Sequence, residues 1–72
     1  MRRFDVVRAD AVPGERRIIE VANMDGPSVA AERFVEEVGC GRCIVSVRER
    51  GQPSEWTMWA VEPVTTYRAR PA

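Results

Sequence analysis

The sequence predicts an α+β protein of ββαβββ layout, with one mostly antiparallel sheet and a single helix packed on one face. Two observations lead there. Residues 16–48 run without interruption as a β-branched segment, a segment with helical spacing and a second β-branched segment. On either side of this block lie short alternating segments separated by proline- and glycine-bearing turns, with no repeat, linker or low-complexity stretch. Seventy-two residues make one small domain. A chain of this size buries only about 60% of its unfolded surface, so its stability leans on a disulfide, a metal, a dimer or a binding partner.

The first strand is expected over residues 3–9, where Phe4 and Val6 alternate with Arg3 and Asp5. Val12-Pro13-Gly14 is a turn signal suited to type II and joins this strand to the next as a hairpin. The second strand covers residues 16–22 and ends at the turn-forming Asn23-Met24-Asp25-Gly26.

Gly26-Pro27 opens a helix over residues 27–38: glycine is acceptable at the N-cap, and proline at N1 lacks an N–H that would have no helical partner. Pro27, Ala31, Phe34, Val35 and Val38 form the face toward the sheet, and Glu32, Arg33, Glu36 and Glu37 point to water. Gly39 or Gly41 ends the helix in the left-handed conformation. Glu36 and Glu37 sit at the negative end of the helix dipole and call for a basic neighbour.

The third strand is expected over residues 42–48, followed by a hairpin loop over 49–54. A fourth strand over 55–61 is stopped or marked as an edge by Pro63, and a weaker fifth covers 64–69. The crossover through the helix is expected to be right-handed, with strand one between strands two and three.

One helix covers one face of the sheet. The covered face collects Phe4, Val6, Ile19, Val21, Cys43, Val45 and Val47; the other collects Arg3, Asp5, Val7, Ile18, Glu20, Ile44, Ser46 and Arg48. Trp56 and Trp59 are three apart and point to opposite faces of a regular strand. An indole buries roughly 150–250 Å², about 4–6 kcal/mol at ~25 cal/mol per Å², so an uncovered tryptophan needs an explanation. A bulge turning both rings inward is one, and a tail folded over the open face is another. The third is an interaction surface, since tryptophan and arginine are enriched at binding hot spots.

Eleven basic residues balance eleven acidic ones, and every basic residue is arginine. A GC-rich genome accounts for the bias, yet the consequence is a surface of planar donor forks suited to carboxylate, phosphate and aromatic faces. The helix carries three glutamates against Arg33, so it is net negative and the remainder net positive. Arg2, Arg3, Arg16, Arg17, Arg42, Arg48, Arg50, Arg68 and Arg70 gather at strand ends, as a solvated rim or as a basic surface for phosphates or an acidic protein.

Cys40-Gly41-Arg42-Cys43 has C-x-x-C spacing. Dithiol relays place this motif at a helix N-terminus, which lowers the thiol pKa; here it follows the C-terminus, where the dipole opposes a thiolate. A zinc site needs four ligands, and one chain offers two cysteines and no histidine. A buried small residue beside a turn thiol is the plain reading. Without histidine or lysine there is no Ser-His or Schiff-base chemistry, and no glycine-rich phosphate loop opens the helix. A non-enzyme without cofactor or metal is expected. No signal-peptide pattern or membrane span is evident, so a soluble, cytoplasmic protein is expected.

Ile18-Ile19-Glu20-Val21-Ala22, Pro27-Ser28-Val29-Ala30-Ala31-Glu32-Arg33-Phe34 and Cys43-Ile44-Val45-Ser46-Val47 resemble the corresponding segments of small ββαβββ proteins encoded by bacteriophages and mobile elements. The chain is similar in layout to the small anti-CRISPR inhibitors of type I systems. The resemblance covers about residues 16–62, is architectural and transfers no functional residue. It implies a stoichiometric inhibitor that occupies a nucleic-acid-binding surface of a host defence complex, acting in the host cytoplasm.

The functional expectation is a small binding protein that meets a protein or ribonucleoprotein partner. Its candidate contact residues are Arg3, Arg16, Arg17, Arg48, Arg50, Trp56, Trp59 and Arg68. A direct nucleic-acid binder using an aromatic as stacking platform, and a homodimer that buries the open face, are the alternatives.

Overall fold

The computed structural model describes residues 1–51, 53, 55–63 and 67–72. It contains β1 (Arg2–Arg8), β2 (Arg16–Val21), α1 (Pro27–Val38), β3 (Cys43–Glu49), β4 (Thr57–Pro63) and β5 (Tyr67–Pro71). The five strands form one sheet in the order β2-β1-β3-β4-β5, with every neighbouring pair antiparallel. The α+β layout and the place of β1 between β2 and β3 are as the sequence predicts. The expected loop positions Gln52 and Ser54, and the expected fifth-strand residues Val64, Thr65 and Thr66, lie outside the described residues.

The helix begins and ends where expected. Gly26 occupies the N-cap without a side-chain cap, Pro27 opens the first turn, and Gly39 closes the last at φ 73° with its N–H donating to the Val35 carbonyl. Ala30, Ala31, Phe34 and Val35 are buried against a sheet face made of Phe4, Val6, Ile19, Val21, Cys43, Val45, Val47 and Val61. Every residue assigned to the covered face is therefore in the core, and Val61 joins it. The helix contacts all five strands, so its apolar stripe spans the whole width of the sheet.

Several helix residues do not simply face water. Arg33 donates to the Glu20 carbonyl on β2 (2.7 Å), and Glu32 accepts the Ala69 N–H of β5 (2.8 Å). These are the two edge strands, so one helix side chain caps each edge at one position. At the helix C-terminus the Arg17 guanidinium lies 3.8 Å from the Glu37 carboxylate, supplying the basic neighbour that the dipole requires.

The β1–β2 connection differs from the expected type II turn. Its Val12–Pro13 peptide is cis, and Gly14 is not in the left-handed region that the third position of a type II turn needs. Gly14 serves close approach instead, because a Cβ there would collide with the Arg8 carbonyl oxygen. The loop is held by the Arg8 N–H donating to Glu15 (2.7 Å) and by Asp10. One Asp10 oxygen accepts from Arg8 Nε (2.8 Å) and the other from the Ile44 N–H (3.1 Å), pinning the loop to β3. The Arg8 hydrogen bond holds the Asp10 carboxyl below the usual range, aided by the Ile44 amide and opposed by burial.

The fourth strand starts two residues later than expected and includes Pro63, which pairs with Tyr67. The ladder with β3 begins at Val47 opposite Thr57 and places Trp59 opposite Val45 on the helix side. Trp59 is half-buried against the core, with its Nε1 donating to Thr57 Oγ1 (2.9 Å) and that hydroxyl donating to the Val47 carbonyl (3.2 Å).

Candidate interaction face

Strand register sets the uncovered face out in rows. Ile18 of β2, Asp5 of β1 and Arg48 of β3 form one row. Arg16, Val7, Ser46 and Met58 form the next, across β2, β1, β3 and β4. Ile44, Ala60 and Arg70 follow, and then Glu62 beside Arg68. Arg3 and Glu20 stand beyond the first row. The face therefore carries a charged end around Asp5 and an apolar middle.

Asp5 organises the charged end. Its two oxygens lie 3.7 Å from Arg48 and 3.6 Å from Arg50, so one carboxylate holds two arginines. Arg48 stacks on Trp56, with its guanidinium carbon 4.7 Å from the ring centre. Trp56 sits just before β4, outside the ladder, and is 40% exposed. A groove lined by Asp5, Val6, Arg16, Arg17, Ile18, Arg48, Arg50 and Trp56 runs along this end.

The apolar middle adds Ile18, Ile44 and Met58, which are 53%, 37% and 47% exposed. Together with Trp56 these are four large apolar side chains on one sheet face that no helix among the described residues covers.

Of the expected contact residues, Arg3, Arg16, Arg48, Arg50, Trp56 and Arg68 are brought to this side of the sheet, Arg68 far from the Asp5 cluster. Trp59 is not, and Arg17 lies toward the helix side of β2 while still bordering the groove. Arg17 shares the register position of Val6 and pairs with Glu37 of the helix, and Trp59 packs against the core. The two tryptophans thus divide as their three-residue spacing requires, one on each side. Arg2, grouped by sequence with the strand-end arginines, belongs to the helix side. It binds both Glu49 oxygens at 2.9 Å, donates to the Asp25 carbonyl and lies 5.1 Å above the Phe4 ring.

Met58 and the bridging role of Asp5 are missing from the expected site. Met58 was recoverable from strand alternation once Val61 and Trp59 are set inward. Asp5 gave no such signal, because its two partners are over forty residues away in sequence.

Most of the arginines are compensated. Arg2, Arg3, Arg8, Arg17, Arg42, Arg48, Arg50 and Arg70 each have a carboxylate oxygen within 4.0 Å, which is eight of the eleven. The surface is a mosaic of ion pairs and not a continuous positive field.

No protein-family model, no curated protein sequence and no solved structure matches this chain.

Proposed function

We propose that this protein is a non-enzymatic binding module that engages a protein surface, or the protein surface of a ribonucleoprotein, through its uncovered sheet face. The observation that carries the reading is the Asp5–Arg48–Trp56 cluster set beside exposed Ile18, Ile44 and Met58. An aromatic stacked on a pre-oriented arginine, next to aliphatic side chains, is the composition of an interface hot spot. Arg48 loses little further freedom on binding, because Asp5 and Trp56 already restrain it.

The ion-pair mosaic favours a protein over a polyanion. Phosphates would have to displace Asp5, Glu20 and Glu62 from their arginines, and the chain has no net positive charge to steer them. A narrower form of the proposal is a stoichiometric inhibitor of a host defence complex, which rests on the resemblance in layout to type I anti-CRISPR inhibitors. A purified type I CRISPR surveillance complex is the first partner to test. Co-migration at a fixed stoichiometry in size-exclusion chromatography, lost in Arg48→Ala/Trp56→Ala, supports that form. Absence of co-migration removes that form and leaves the general reading standing. Affinity for single-stranded oligonucleotides that falls steeply with salt would replace both with direct nucleic-acid binding.

A further inference from the structure

We propose that Cys40 and Cys43 are a disulfide-forming pair, a thiol–disulfide site that fastens the turn after α1 to the first residue of β3. Their sulfurs are 2.7 Å apart. A disulfide bond is about 2.05 Å long, so closure takes a movement of about 0.7 Å, within the reach of side-chain torsions. The backbone already holds the required bend. Gly39 (φ 73°) and Gly41 (φ 71°) bracket Cys40 in the left-handed conformation, turning the chain back so that Cys40 meets Cys43.

The two thiols have different surroundings. Cys43 is buried among the core residues of β3, while Cys40 is half-buried at the edge of the same cluster. Burial, and then the hydrogen bond with Cys40, push the Cys43 thiol up to about 12. Cys40 is therefore the sulfur that an external oxidant meets first. With a low-molecular-weight disulfide such as oxidised glutathione, the Cys40 thiolate attacks one sulfur and releases one glutathione thiolate. Cys43 then gives up its proton to that thiolate or to water and attacks Cys40 Sγ, expelling the second glutathione. Two protein thiols lose two protons and two electrons, and one glutathione disulfide becomes two glutathione thiols.

The position after the helix C-terminus, unfavourable for a turnover catalyst, suits a clamp. Neither the helix dipole nor the burial of Cys43 activates a nucleophile, and the bridged product lies partly inside the core where exchange is slow. The oxidised chain gains a covalent closure of the turn between α1 and β3 that the reduced chain lacks.

The test uses the full reduced chain incubated with oxidised glutathione at about pH 8, then acid-quenched, alkylated and mapped by mass spectrometry. The expected product is monomeric, two hydrogen atoms lighter and free of alkylated thiol. Trypsin cleavage after Arg42 leaves its two fragments joined until a reductant is added. Thermal unfolding of this product shifts upward by about 5 °C against the reduced chain. Cys43→Ser stops at the mixed disulfide on Cys40. Accumulation of a glutathione adduct on the wild-type chain, a Cys40-linked dimer, or two thiols still open to alkylation would overturn the proposal. The wild-type map decides the matter even where Cys43→Ser does not fold.

Discussion

The Arg48 guanidinium rests 4.7 Å from the centre of the Trp56 ring and 3.7 Å from the Asp5 carboxylate, held between an aromatic and an anion on the uncovered side of the sheet. Exposed stacks of this kind contribute about 0.5–1 kcal/mol, and exposed ion pairs about 0–1 kcal/mol. Neither is enough to explain keeping a large ring 40% exposed in a domain this small. The proposed binding surface rests on this arrangement.

The two tryptophans should separate cleanly in a stability assay. Trp56→Ala is expected to lower stability by at most about 1 kcal/mol, since it removes an exposed stack. Trp59→Ala removes an indole packed against the core and should cost about 2–4 kcal/mol, below the value for a fully buried aromatic because the ring is only half-buried. Urea denaturation of both variants checks this. Equal losses would mean that the rings are not on opposite sides.

Acid should weaken the Arg2–Glu49 link over a definable range. The hydrogen bond from Arg2 holds the Glu49 carboxyl below its ordinary value, against the opposing effect of burial. A carboxylate depressed in the folded state contributes stability that is complete above its unfolded pKa of about 4.3 and is lost as pH falls through the lower folded value. Stability against pH should therefore decline below that point, and Glu49→Gln should flatten the decline while leaving a lower plateau at neutral pH. A variant curve that runs parallel to the wild type would contradict the assignment.

Gly14 and Gly26 should respond in opposite directions. Any Cβ at Gly14 runs into the Arg8 carbonyl oxygen, so Gly14→Ala is expected to cost about 1–3 kcal/mol by forcing the β1–β2 loop open. Gly26 has open space around it and caps α1 without a side chain, so Gly26→Ser should gain a few tenths of a kcal/mol from a new cap. Thermal melts of the two variants report both signs.

The edge cap on β5 gives a local readout. Glu32→Ala leaves the Ala69 N–H without its carboxylate and should cost about 1 kcal/mol, with faster hydrogen exchange at Ala69 than at core amides of β3. Glu32→Gln, which keeps an acceptor oxygen, should restore most of the protection. Unchanged exchange in Glu32→Ala would show that the edge is protected by something else.

Alternation and helical spacing made the core legible before any coordinates. Phe4, Val6, Ile19, Val21, Val45 and Val47 announce their side by period two, and Phe34 and Val35 by period 3.6. The need for a basic residue near Glu37 was also visible, although its identity as Arg17 depends on how β2 lies under the helix. What could not be read was anything set by contacts distant in sequence. Asp5 joins Arg48 and Arg50 only because β1 lies beside β3. A strand-end arginine looks the same in sequence whichever side it takes, so the pairing of Arg17 with the helix is not legible there. Val12-Pro13-Gly14 carries the residues of a type II turn, yet the close passage of Gly14 against Arg8 makes a different loop.

Whether partner binding uses the uncovered sheet face is decided by quantitative affinity capture with three forms of the chain: wild type, Arg48→Ala/Trp56→Ala/Met58→Ser on the open face, and Arg33→Ala/Glu36→Ala on the helix. A partner held in fixed ratio by the wild type should be retained by the helix variant and lost, by at least about tenfold, by the open-face variant while that variant remains folded. Retention by the open-face variant, or loss confined to the helix variant, would contradict it.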